Sequence, residues 1–112
     1  MMEIRDNLTN NLVVIKITGD VDALTAPEIT GHIRKHIEKG NVNLITDFTE
    51  VLYTSSAGLR MLLTAVKETR VRNGDMRLVN VQPDVSKVLS LTGFNNILKI
   101  FPDVDSAIKS YE

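Results

Sequence analysis

The chain contains no cysteine and no tryptophan. Without cysteine there is no disulfide, no thiolate metal site and no cysteine nucleophile, a composition that fits a reducing cytoplasm. Aromatic residues make up only 4% of the 112 positions, so the core must be aliphatic. An excess of one charge is also lacking. Thirteen Lys and Arg against fourteen Asp and Glu leave a formal net charge of −1, which argues against general attraction to nucleic acid or to an anionic membrane. No apolar run approaches the length of a membrane span. Residues 1–6 mix acids with a base and hold no apolar segment, so they do not read as a signal peptide. Repeats, low-complexity segments and linkers are absent as well. What is there, 43% hydrophobic and 24% charged residues, describes one ordinary soluble domain over 1–112.

The order of elements follows from hydrophobic periodicity and its punctuation. Residues 3–7 form a short opening strand. Leu12–Thr18 is β-branched and apolar on both faces, as expected of a central strand. Gly19-Asp20-Val21-Asp22 breaks it. The first helix begins at Thr25-Ala26-Pro27-Glu28, which has the spacing of a capping box with proline in the first turn. Leu24 and Ile29 stand at the positions of a hydrophobic staple. Ile29, Ile33 and Ile37 supply the buried stripe, and Lys39-Gly40 the end. Further strands are expected at 42–48, 76–81 and 97–101, with helices at about 56–72, from Pro83 to Gly93, and from Pro102-Asp103 onward. The order β-β-α-β-α-β-α-β-α implies a mixed, largely parallel α/β sheet of four to five strands with flanking helices. Loops 19–24, 49–56 and 81–84 then share the carboxyl edge of the sheet, where α/β sites are usually found.

The middle loop carries the most distinctive stretch, Tyr53-Thr54-Ser55-Ser56-Ala57-Gly58-Leu59-Arg60. Leu59, Leu62, Leu63 and Val66 recur at helical spacing. Ser55 or Ser56 is therefore the natural N-cap, and a serine hydroxyl sits at the positive end of a helix dipole on an exposed loop. That placement suits a phosphoryl group.

Taken together, these residues resemble a STAS domain, and more narrowly the bacterial anti-sigma factor antagonists. The likeness covers the whole chain. It rests on Thr18-Gly19-Asp20-Val21-Asp22, Asp47-Phe48, Ser55-Ser56-Ala57-Gly58-Leu59 and Thr92-Gly93-Phe94. The resemblance implies a non-enzymatic protein–protein switch without a cofactor, working as a monomer or weak dimer. Its partners would be an anti-sigma factor with serine kinase activity and a protein phosphatase. The unphosphorylated form binds the anti-sigma factor and frees a sigma factor. Carried over by motif, the acceptor is the serine two residues before the glycine, Ser56. The family often has an aspartate just before that serine, whereas this chain has Ser55, which leaves Ser55 as a competing acceptor. The implied partner surface comprises Asp20, Asp22, Thr54, Ser55, Ala57, Gly58 and Arg60. Asp47 would add to a negative patch with Asp20 and Asp22 and help position a kinase-bound Mg²⁺.

Other readings compete with these. Ser55 and Ser56 serve equally as plain helix caps, Ala57 and Gly58 as tight packing residues, and Asp20 and Asp22 as turn residues. Arg60, Lys67, Arg70 and Arg72 read as the exposed side of the second helix. His32 and His36 have the i, i+4 spacing of a metal pair, but no third ligand lies nearby in sequence, so no metal is assigned and a solvated face is expected. A serine hydrolase lacks support, since there is no Gly-x-Ser-x-Gly elbow and neither histidine falls near the serines. A STAS scaffold or sensor acting without an anti-sigma partner is the nearer alternative.

Overall fold

A computed structural model describes residues 2–112. Its elements are β1 (Glu3–Thr9), β2 (Leu12–Thr18), α1 (Ala26–Glu38), β3 (Asn43–Glu50), α2 (Ser56–Val71), β4 (Asp75–Val79), α3 (Pro83–Thr92), β5 (Ile100–Phe101) and α4 (Val104–Ser110). The five strands lie side by side in chain order. The first pair is antiparallel and every later pair is parallel, so the expected mixed sheet is the one that forms.

The hairpin β1–β2 turns at Asn10 and Asn11, both at positive φ (52° and 64°), where asparagine is among the few tolerated side chains. From β2 onward each connection crosses over to the next strand in the same direction. Crossovers of one hand put their helices on one face of the sheet. Accordingly α1, α2 and α3 cover a single face, packing Ile29, Ile33, Ile37, Leu59, Leu62, Val66, Val85 and Leu89 against Ile15, Ile17, Leu44, Phe48, Met76 and Leu78. The last helix, α4, follows the last strand and makes no crossover. It covers the other face, where Ala107 and Ile108 meet Val14, Ile45 and Val79. Alternation along the strands divides the two sets, so a central strand such as β2 is apolar on both sides. Among the described residues, no helix is long and apolar enough to cross a membrane.

The boundaries of β2 fall where periodicity puts them, and the Ile29, Ile33 and Ile37 stripe of α1 is buried. Other edges move. β1 runs two residues further than expected, to Thr9, and β3 continues to Glu50. β4 stops at Val79 because Asn80 turns into the left-handed region, with φ at 55°. The larger correction concerns residues 97–101. Gly93, at φ 78°, caps α3 and leads into a 3-10 turn over Phe94–Asn96. The N–H groups of Ile97 and Leu98 both donate to the Phe94 carbonyl (3.0 and 2.9 Å), so the chain is still coiled where a strand was expected. Leu98 plugs the core, and only Ile100 and Phe101 pair with Leu78 and Val79.

Candidate functional site

The loops after β2, β3 and β4 meet at the carboxyl edge, as the strand order requires. Hydrogen bonding continues past the ends of β2 and β3. The Gly19 N–H donates to the Glu50 carbonyl and the Val21 N–H to the Tyr53 carbonyl, each at 3.1 Å. The Ser55 N–H returns a bond to the Val21 carbonyl at 3.1 Å, and Val21 and Thr54 form an isolated parallel bridge. The third loop is tied in by Gln82, whose Nε2 donates to the Thr49 carbonyl at 2.6 Å. A residue that starts α2 is thus positioned by backbone ladder rather than by a free loop.

Ser55 is the N-cap. Its backbone is extended (φ −104°, ψ 176°), and its Oγ accepts from the Gly58 N–H at 3.3 Å. Ser56 is the first residue of the helix and is exposed. By helix geometry the N–H groups of Ser56 and Ala57 have no acceptor within α2, and the dipole of this 16-residue helix makes its start electropositive. Ser56 and Arg60, four residues apart, lie on one helix face, and Arg60 lines a shallow groove between α1 and α2 with Ala57 and Thr64. The hydroxyl of Ser56 is open to an incoming phosphoryl donor, and its surroundings favour the resulting negative charge.

The residues named from the motif separate into two groups. Thr54 and Gly58 are buried, so they pack rather than present a surface. A Cβ on Gly58 would collide with the Val21 carbonyl oxygen and with Thr54 Oγ1. Asp20, Ser56 and Arg60 are exposed, while Asp22, Ser55 and Ala57 are half-buried. Asp22 is taken up in the turn before α1: its Oδ1 accepts from the N–H groups of Leu24 (2.9 Å) and Thr25 (3.1 Å). The expected capping box does not form, although Thr25 is the N-cap of α1. Thr25 makes no side-chain cap bond to α1, because its Oγ1 donates to the Asp20 carbonyl at 2.7 Å and accepts from the Asp22 N–H. The staple is also absent, since Leu24 is 90% exposed. Asp47 does not join a patch with Asp20 and Asp22. Two residues on from Ile45 along β3, it shares that residue's face toward α4, and its Oδ1 accepts from Thr49 N–H (3.0 Å), Thr49 Oγ1 (2.6 Å) and Asn80 Nδ2 (3.2 Å).

Hydrophobic pattern alone missed Leu24, Leu52 and Tyr53, which stand exposed on the loops that follow β2 and β3. Three large exposed apolar side chains on the loops of this edge, which also carries the Ser56 hydroxyl, suit contact with a protein partner. The only available hint in sequence was their position in loops rather than on a periodic face. His32 and His36 sit elsewhere. Their Nε2 atoms approach Asp6 of β1 at 2.7 and 2.8 Å, so a third potential ligand does lie beside the pair once the sheet has formed. Neither serine hydroxyl hydrogen-bonds a histidine among the described residues.

Comparison with known proteins places these features in context. The STAS domain model matches residues 2–107. An anti-sigma-B factor antagonist of Listeria monocytogenes is 28% identical, the alignment spanning 88% of this chain and 86% of that protein. The fold is also that of an anti-sigma factor antagonist from Mycobacterium paratuberculosis (TM-score 0.85, 21% identity, 98% of this chain and 93% of that one). It matches the Bacillus cell fate determinant SpoIIAA in its phosphorylated form as well (TM-score 0.74, 22% identity, the whole of both chains).

Proposed function

The chain belongs to the STAS domain family, and we propose that it acts as an anti-sigma factor antagonist controlled by phosphorylation of Ser56. The reading is of a regulatory binding protein, not an enzyme, with the nucleotide belonging to its partner. Unphosphorylated, it binds an anti-sigma factor that is also its serine kinase, and a sigma factor is released. A protein phosphatase resets it. The carrying observation is the exposed Ser56 at the first position of α2, on the same sheet edge as the loops that expose Leu24, Leu52 and Tyr53.

A phosphoserine brings roughly −1.5 to −2 charge and three acceptor oxygens. The unpaired N–H groups at the start of α2 and the helix dipole offset that charge within the domain, so the fold changes little. The effect falls on the partner, which loses a neutral apolar contact and gains a hydrated dianion to bury. Asp20, Asp22, Ser55, Ala57 and Arg60 border the same contact. Thr54 and Gly58 support it from beneath.

The test is peptide mass spectrometry on protein recovered from its own cells with phosphatases inhibited, paired with co-purification of the partner. The reading expects phosphate on Ser56, lost partner binding for Ser56→Asp and constitutive binding for Ser56→Ala. Full phosphorylation of Ser56→Ala would move the acceptor to Ser55. Unmodified protein under all growth and stress conditions would leave a scaffold or sensor module instead.

A further inference from the structure

The surface of α1 near its carboxyl half holds a second constellation, unrelated to the switch edge. His32 and His36 are one helical turn apart, and both direct Nε2 toward the carboxylate of Asp6 on the edge strand β1. The contacts are His32 Nε2 to Asp6 Oδ1 at 2.7 Å and to Oδ2 at 2.9 Å, and His36 Nε2 to Oδ2 at 2.8 Å. Asp6 is paired with Ile15 across the hairpin, which fixes its place over α1. We propose that Asp6, His32 and His36 form a binding site for a divalent transition-metal ion of the Zn²⁺ class.

Two imidazole nitrogens and one carboxylate are a donor set that favours Zn²⁺ and its first-row neighbours over Mg²⁺ or Ca²⁺, which take oxygen ligands. The donor atoms lie within 4.8 Å of one another. Ligands of a tetrahedral ion with bonds of about 2.0–2.1 Å stand roughly 3.3 Å apart, so each contact opens by about half an ångström on binding. Torsions of three partly exposed side chains supply that movement. His36 is the best held of the three: its Nδ1 lies 3.4 Å from Asn41 Nδ2. With the Asn41 amide turned over, its oxygen accepts the Nδ1–H of a metal-bound ring, a common outer partner for such ligands.

Side-chain exposures of 30% for His32, 14% for His36 and 36% for Asp6 leave an entry path and an open coordination position. Water or a partner's carboxylate can complete the set. The ion would cross-link β1, which among the described residues pairs with β2 alone, to the helix packed over it. This site stands independently of the role assigned to Ser56.

The experiment titrates the full, untagged chain with ZnSO₄ alone, followed by calorimetry and by imidazole ¹H–¹⁵N spectra. The expected result is saturation at one ion per chain, perturbation of both Nε2 signals, and a rise in melting temperature that follows mass action. His32→Ala and Asp6→Asn should each weaken binding by at least about tenfold, with unchanged far-ultraviolet circular dichroism. Mg²⁺ titrated in place of Zn²⁺ should give no saturable binding. Absence of saturable binding, or a Zn²⁺ affinity indifferent to both substitutions, overturns the proposal.

Discussion

The carbonyl oxygen of Val21 lies directly against the Cα of Gly58, in the space a β-carbon would fill. The same carbonyl accepts the Ser55 N–H. One backbone atom of the first loop thus sets both the register of the second loop and the closest approach of α2.

Gly58→Ala tests that relationship. The added methyl meets backbone on one side and Thr54 Oγ1 on the other, so the start of α2 must shift outward. Overpacking of this kind costs about 1–3 kcal/mol. A lower urea midpoint with an unchanged m-value is expected. An unchanged midpoint would mean that α2 is not seated on Val21.

The two serines divide their roles by one position, and separate substitutions should expose the division. Ser55→Ala removes the cap that accepts the Gly58 N–H and should cost about 1 kcal/mol in chemical denaturation. Ser56→Ala touches only an exposed hydroxyl and should stay within about 0.5 kcal/mol of the parent while losing phosphate acceptance. The opposite ranking of stabilities would make Ser56 the cap.

Much of this edge was legible in the residues, and the parts that were not share a cause. Periodicity placed β2, the isoleucine stripe of α1 and the start of α2, because each depends on burial repeated over several turns or alternations. Thr25 is the N-cap of α1 as its position indicates, but its hydroxyl is spent on the Asp20 carbonyl of the preceding loop, a competition that helical spacing does not reveal. Ile97 and Leu98 looked like strand by composition, yet the turn begun at Gly93 keeps them coiled. Asp6 was invisible beside His32 and His36, since only the β1–β2 hairpin brings 26 residues of separation to hydrogen-bonding distance.

Thr46 is a residue whose replacement should strengthen the fold. It lies in the middle of β3 between Ile15 and Leu78, fully buried, and its Oγ1 has no hydrogen-bond partner among the described residues. A buried hydroxyl without a partner carries a desolvation penalty of about 1–3 kcal/mol. Thr46→Val keeps the shape and the β-branch while replacing the hydroxyl with a methyl. A gain of about 1 kcal/mol in unfolding free energy is expected. A loss would show that the hydroxyl is satisfied in solution.

Tyr111 ties α4 to the sheet and should govern alkaline stability. Its single O–H proton is shared between the carbonyls of Leu44 (2.7 Å) and Asp75 (2.8 Å), and the Arg77 guanidinium carbon lies 3.9 Å from its ring centroid. Burial pushes its phenol well above the ordinary range, and the Asp75 charge adds to that, outweighing the opposing effects of Arg77, Arg70 and the Leu44 bond. In the unfolded chain the phenol loses its proton near pH 10, while in the native state it keeps it. Above about pH 10 the unfolded state therefore binds fewer protons, and stability falls as pH rises, by at most about 1.4 kcal/mol per unit for this group. Tyr111→Phe should lose about 0.5–1.5 kcal/mol at neutral pH with the hydrogen bonds. Its stability should then decline less steeply between about pH 10 and pH 12 than that of the parent. Parallel alkaline limbs for the two proteins would show that the decline comes from other groups.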